Sequence, residues 1–273
     1  MRGDDGDQSR MQLGDHLEEL RWRLIKIVVA ILVCTIVAFI FNIELKLIAL
    51  QPLQQAVAIV GEDVAEQLGF SSDPAETRQL RGGTLTEPAI TAFTVSMLAA
   101  AFVVFPYIVW QLWGFVRPAL YRHETGLAFL FVPSAVLFFY LGAILGYAFA
   151  LPWFYAWLMH WAVMDPTVTM ILDQRQYFRL LVLMTACFGV ILDIPWFVIL
   201  LVRLRIMTPQ TIAKGRRYVV LGAIVIAALL SPPDPFSQMA MFLPMVILFE
   251  LGLFISRIIY RRRLLADGAS SPL

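Results

Sequence analysis

The chain has 273 residues, of which 60% are hydrophobic and only 15% charged, with a formal net charge of +1. Soluble domains run near 45–50% apolar and about 25% charged, so this composition excludes a soluble globular protein. A charge balance this close to neutral gives no sign of nucleic-acid binding, and the apolar runs are too long for the ten-residue alternation of a membrane β-barrel.

The N-terminus, "MRGDDGDQ", is polar and acidic, and "HLEELRWRL" (residues 16–24) leads into the first apolar run. No small-residue cleavage pattern follows that run, so it reads as a retained span over Leu24–Ile43. Five further spans are predicted: Pro88–Gly114, Gly126–Ala150 stopping before Pro152, Leu180–Val202, Tyr218–Leu230 and Phe236–Ile255. The fifth has 13 residues, about 20 Å of helix, shorter than a hydrocarbon core of about 30 Å. If it were re-entrant, the four arginines Arg257 and Arg261–Arg263 would change sides. With six true spans, 16 of the 21 Lys and Arg fall on the N-terminal side; with five, 12 do. The excess of basic residues on the cytoplasmic side therefore favours six spans with both termini cytoplasmic. The expected fold is all-α and polytopic, residues 1–264 forming one membrane domain and 265–273 a disordered tail.

Between the first two spans, Glu44–Glu87 carries seven carboxylates, and "PLQQAVAIVGEDVAEQL" has the spacing of a helix lying near the membrane surface. The second external segment, Leu151–Arg179, opens with "LPWFYAWLMHW", an aromatic cluster suited to the membrane–water boundary. His160 lies within it without a second ligand nearby, so no metal is expected. Cys34 and Cys187 read as buried small hydrophobes.

Ionisable side chains within spans are costly and face protein or water. Asp193 is the clearest, fourteenth of the 23 residues in Leu180–Val202, with Pro195 two positions on. The turn "SPPDPFSQ" (231–238) places Ser231 and Gln238 at the edges of the adjoining helices, where such side chains bond between helices. Glu250 is expected to pair with Arg257, seven residues along. The loop "GFVRPALYRHETG" carries one acid, Glu124, beside Arg117, Arg122 and His123. Glu124 could cap the next helix, and Glu19 could pair with Arg23 at i, i+4. Taken together on one membrane face, the two carboxylates suit a guanidinium ligand.

"HLEELRWRL", "WGFVRPALYRHE", "LFFYLGAILGYAFALP" and "SPPDPFSQ" occur in the order and spacing of the TatC family, which the chain resembles over residues 12–260. The resemblance implies a cupped bundle of six helices in the cell inner membrane. It also implies a receptor for twin-arginine signal peptides of folded cargo, working in an oligomeric complex with TatA- and TatB-type single-span subunits and driven by the proton-motive force. By the same match, Glu19 and Glu124 hold the arginines, Phe115 and Arg21 belong to that surface, and Glu18 is only surface. Asp193, Ser231 and Gln238 fall on positions for partner docking. Asp193 stands where the family usually has Glu, and residues 61–83 have no counterpart. No cofactor is implied, no covalent catalysis is expected, and no P-loop occurs. Two rivals remain. A proton-coupled secondary transporter would use Asp193, but it usually shows several intramembrane charges and a repeat. An intramembrane protease would need a second deep carboxylate or a Ser–His pair.

Overall fold

The computed structural model describes residues 5–61, 64, 84–116, 125–164, 173–203, 206–230 and 235–269. Within them the chain is helical: α1 Asp5–Ile40, α2 Asn42–Ala49, α3 Gln51–Val60, α4 Glu87–Val116, α5 Thr125–Leu145, α6 Leu151–Met164, α7 Gln174–Arg203, α8 Pro209–Lys214, α9 Arg216–Leu230 and α10 Pro235–Ala269. Six stretches among the described residues are long and apolar enough to cross a membrane: Glu18–Ile40, Asn42–Val60, Glu87–Phe115, Val132–Met164, Gln174–Arg203 and Gln238–Arg262. Asn42–Val60 bends at Leu50, and its halves lie against α4 and α6. The short fifth span expected from the sequence is α9, whose 15 residues give about 22 Å; it is not among those six stretches, and Asn42–Val60, expected outside the membrane, is.

The helices form an open row. α1 packs on α4, α4 on α5 and α7, α7 on α10, and α10 on α9. Among the described residues α1 has no substantial packing on α9 or α10, so the row does not close and the bundle is cupped. Helices at the edge keep apolar side chains outward, as lipid demands: Leu32, Val33, Ile36 and Val37 of α1 are all exposed.

The main core lies at one end of the row, where Leu53 and Ala56 of α3 meet Leu151, Tyr155 and Met159 of α6 and Tyr177, Phe178 and Leu181 of α7. Three tyrosines fasten this capped end. Tyr177 donates to the carbonyl of Ala49 at 2.6 Å, Tyr147 to that of Ile48, and Tyr155 to that of Tyr177 at 3.3 Å. The carbonyls of Ile48 and Ala49 lie in the last turn of α2, where a helix leaves carbonyls without an intrahelical donor, while that of Tyr177 lies in the first turn of α7. The packing of α5 on α7 requires glycine. A Cβ on Gly142 would stand 2.3 Å from the carbonyl oxygen of Phe188, and one on Gly189 would stand 2.7 Å from the ring of Phe139.

Three boundaries or pairings differ from the sequence reading. Helix α5 does not stop before Pro152 but passes through a π-turn, Gly146–Ala150, into α6. The proline occupies the first turn of α6, where its missing N–H matters least. At the C-terminus α10 runs to Ala269, five residues into the expected tail, since the arginine-rich segment before it favours helix. Glu250 pairs with Arg216 of α9 at 2.6 Å and not with Arg257. A neighbouring helix presents its cation directly, whereas Arg257 stands two turns away along α10.

Candidate functional site

The end of the row opposite the tyrosine cap carries the ion pairs Arg23–Glu19 and Arg216–Glu250. Helix α1 extends through "HLEELRWRL", well before the apolar run, which lifts Glu19 to the rim formed with the last turns of α4. Arg23, one turn on, donates from Nε at 3.0 Å and from Nη2 at 2.6 Å to Glu19 Oε1. Its Nη1 reaches across to α4, donating to the carbonyl of Gln111 at 3.3 Å and to the Gln111 side chain at 3.2 Å. A cation suits the C-terminal end of α4, where the helix dipole is negative. Gly114 makes the approach possible, because a Cβ there would stand 2.2 Å from Arg23 Nη1.

The carboxylate of Glu19 is thus held against α4 through one oxygen and remains 39% exposed. Among the described residues no bond is recorded to its Oε2. The pairing that the i, i+4 spacing allowed is formed, and it leaves acceptor capacity for an outside donor. Sequence reasoning did not find Gln111 or Gly114; only the contact between α1 and α4 reveals them. Phe115, on the same last turn of α4, is half-buried, while Glu18 and Arg21 are exposed. Glu124 lies outside the described residues.

Asp193 sits on α7 with Oδ1 shielded from solvent and without a hydrogen-bond partner among the described residues. Two residues further along α7, Gly252 of α10 meets the backbone of Pro195; a Cβ there would stand 2.5 Å from the Pro195 Cα. Gln238 is half-buried near the start of α10. It lies 14 residues before Gly252, about 21 Å of helix, so Asp193 and Gln238 do not form one polar site. Ser231 lies outside the described residues.

Along the helix axes Asp193 stands at about the depth of Gln111. Gln174 of α7 donates to Thr91 of α4 at 3.2 Å near the capped end. Asp193 is 19 residues from Gln174, and Gln111 is 20 residues from Thr91. Both therefore lie about 28–30 Å along their helices from that contact.

An open row of lipid-facing helices, capped and packed at one end and charged at the other, defines a multi-pass helical membrane protein. Residues 15–244 match the family model described as Sec-independent protein translocase protein (TatC). The chain belongs to that family. It is 33% identical over 249 residues to the Sec-independent protein translocase protein TatC of Halothiobacillus neapolitanus, covering 91% of this chain and 63% of that longer relative. With the TatC protein of Escherichia coli strain K12 it shares 32% identity over 246 residues, 89% of this chain and 86% of the relative. A crystal structure of the twin arginine translocase receptor TatC superposes with a TM-score of 0.75 at 27% identity, covering 89% of this chain and 98% of that one.

Proposed function

We propose that this chain is the signal-peptide receptor of a twin-arginine protein translocase, set in the cell inner membrane with both termini and the charged rim in the cytoplasm. The observation that carries the reading is Glu19: a carboxylate tied to the α1–α4 rim through Oε1 and still accessible. A guanidinium of an incoming leader takes the remaining oxygen, and Glu124, eight residues beyond the end of α4 in sequence, takes the second arginine. Phe115 and Arg21 flank this surface. The apolar stretch of the leader then follows the concave side of the row toward Asp193, whose unpaired oxygen suits a polar group brought by a partner. TatA- and TatB-type single-span subunits dock along that face and near Ser231 and Gln238, and the proton-motive force drives passage.

Charged hydrogen bonds contribute about 1.5–3 kcal/mol each, so losing one weakens binding by roughly 10- to 100-fold. Glu19→Ala and Glu124→Ala each lower crosslinking of a labelled twin-arginine peptide by this order, while Glu18→Ala leaves it unchanged. Equal crosslinking in all three variants would overturn the clamp.

A further inference from the structure

Beyond the receptor reading and independently of it, we propose that a groove between α8 and α10 binds the headgroup of an anionic phospholipid. The groove has a volume of about 390 Å³ and is lined by Pro209 and Gln210 of α8 and by Phe254, Arg257, Ile258, Tyr260 and Arg261 of α10. That volume lies within the roughly 300–1,000 Å³ of small-molecule sites.

Arg257 and Arg261 stand at i, i+4 on one face of α10, where like charges repel. Glu250, the carboxylate of α10 on the side of Arg257, is engaged by Arg216 of α9 instead. Among the described residues, neither Arg257 nor Arg261 has an acid within ion-pair distance. Two uncompensated guanidiniums lining one hollow match a phosphate diester, whose oxygens accept the paired N–H donors of each fork. The apolar side of the same hollow supplies the rest. Phe254 is 60% exposed and Ile258 40% exposed, one turn apart and beside the arginines, as acyl chains below a headgroup require. Tyr260 and Gln210 add polar side chains at the headgroup level, where an aromatic hydroxyl suits the membrane interface. This union of phosphate-binding charge and lipid-facing apolar surface selects a phospholipid over a free anion.

The full chain, purified in mild detergent and examined by native mass spectrometry, tests this with three probes: phosphatidylglycerol, phosphatidylcholine and inorganic phosphate. Two basic residues near a headgroup should give phosphatidylglycerol roughly tenfold or greater retention over phosphatidylcholine. Arg257→Gln/Arg261→Gln should abolish that preference, while Arg175→Gln/Arg179→Gln, with equal charge loss on α7, should keep it. Arg257→Lys/Arg261→Lys, which keeps the charge and removes the planar forks, should lower the preference severalfold while leaving the thermal unfolding midpoint unchanged. The proposal fails if the unaltered protein retains both lipids equally, or if the glutamine pair keeps the preference. Displacement of phosphatidylglycerol by equimolar inorganic phosphate would mark a site for soluble anions and likewise overturn it. Should the glutamine pair not fold, the lysine pair and the lipid comparison on the unaltered chain decide the matter.

Discussion

The two ends of this molecule are held together by different physics. At the capped end, neutral tyrosine hydroxyls donate to backbone carbonyls within a large apolar core. At the rim, one partly exposed ion pair lies along α1 and another joins α9 to α10, and the buried cluster of α7, α8 and α10 there is small, Val198, Val202, Ile212, Phe249 and Leu253. Buried neutral bonds are costly to break because the partner left behind is desolvated. Exposed ion pairs contribute little and exchange partners readily. The cap therefore fixes the geometry, and the rim's ion pairs add little to it.

The sharpest way to break this comparison is at the α5–α7 contact that joins the two ends. Gly142→Val would force a side chain into the carbonyl of Phe188, against backbone that cannot turn aside. Overpacking of this kind costs about 1–3 kcal/mol, and more where backbone is struck. Loss of the monodisperse species on size-exclusion chromatography is the expected outcome. A variant as stable as the unaltered chain would show that the helices can part there without consequence.

Next in size is Tyr177→Phe, which deletes one oxygen and leaves the carbonyl of Ala49 buried without that donor. A cost of roughly 1–3 kcal/mol follows, read as a lower thermal unfolding midpoint and faster hydrogen exchange around α2 and α3. Binding of a twin-arginine peptide at the rim should change little.

Hydrophobic run length and proline placement made the helical class and much of the helix order legible, because those patterns act locally. The π-turn at Gly146–Ala150 that carries helix on through Pro152 was not legible, since a π-turn depends on how α5 meets α7 at Gly142, Gly146 and Gly189. At the rim, Glu19 and Arg23 were readable as an i, i+4 pair. Gln111 and Gly114 were not, being 88 and 91 residues from Arg23 in sequence and brought to it only by packing. The partner of Glu250 was misread for the same reason: a neighbour across helices prevailed over one along the helix. The separation of Asp193 from Gln238 required the register of α7 against α10, which sequence spacing does not contain.

At the rim the comparison is sharpened by Arg23→Gln. The ion pair is partly exposed, so stability should fall by no more than about 1 kcal/mol. Glu19 would lose its tether to α4, however, and its carboxylate would no longer be held at one position on the rim. Peptide crosslinking should drop severalfold while the unfolding midpoint barely moves. Equal loss of both would mean that Arg23 serves folding and not positioning.

The smallest expected effect lies at the other edge of the row, where Arg216 and Glu250 join α9 to α10 with side chains 48% and 39% exposed. In water such a pair contributes roughly 0–1 kcal/mol. Its position makes it more informative than that figure suggests. Glu250 lies 15 residues into α10, about 22 Å along the helix, short of the thickness of a 30 Å hydrocarbon core. If the bilayer kept its full thickness there, losing one partner would strand a charge in lipid at a cost of about 2.5–3.5 kcal/mol. Arg216→Gln, Glu250→Gln and the exchange Arg216→Glu/Glu250→Arg separate the cases when unfolding is followed in lipid nanodiscs. Small losses in both single variants, with recovery in the exchange, would place the pair in water at a locally thinned membrane, as a 15-residue α9 requires. Losses of several kcal/mol in each single variant would place it in hydrocarbon, and the rim at this edge would then share the buried physics of the cap.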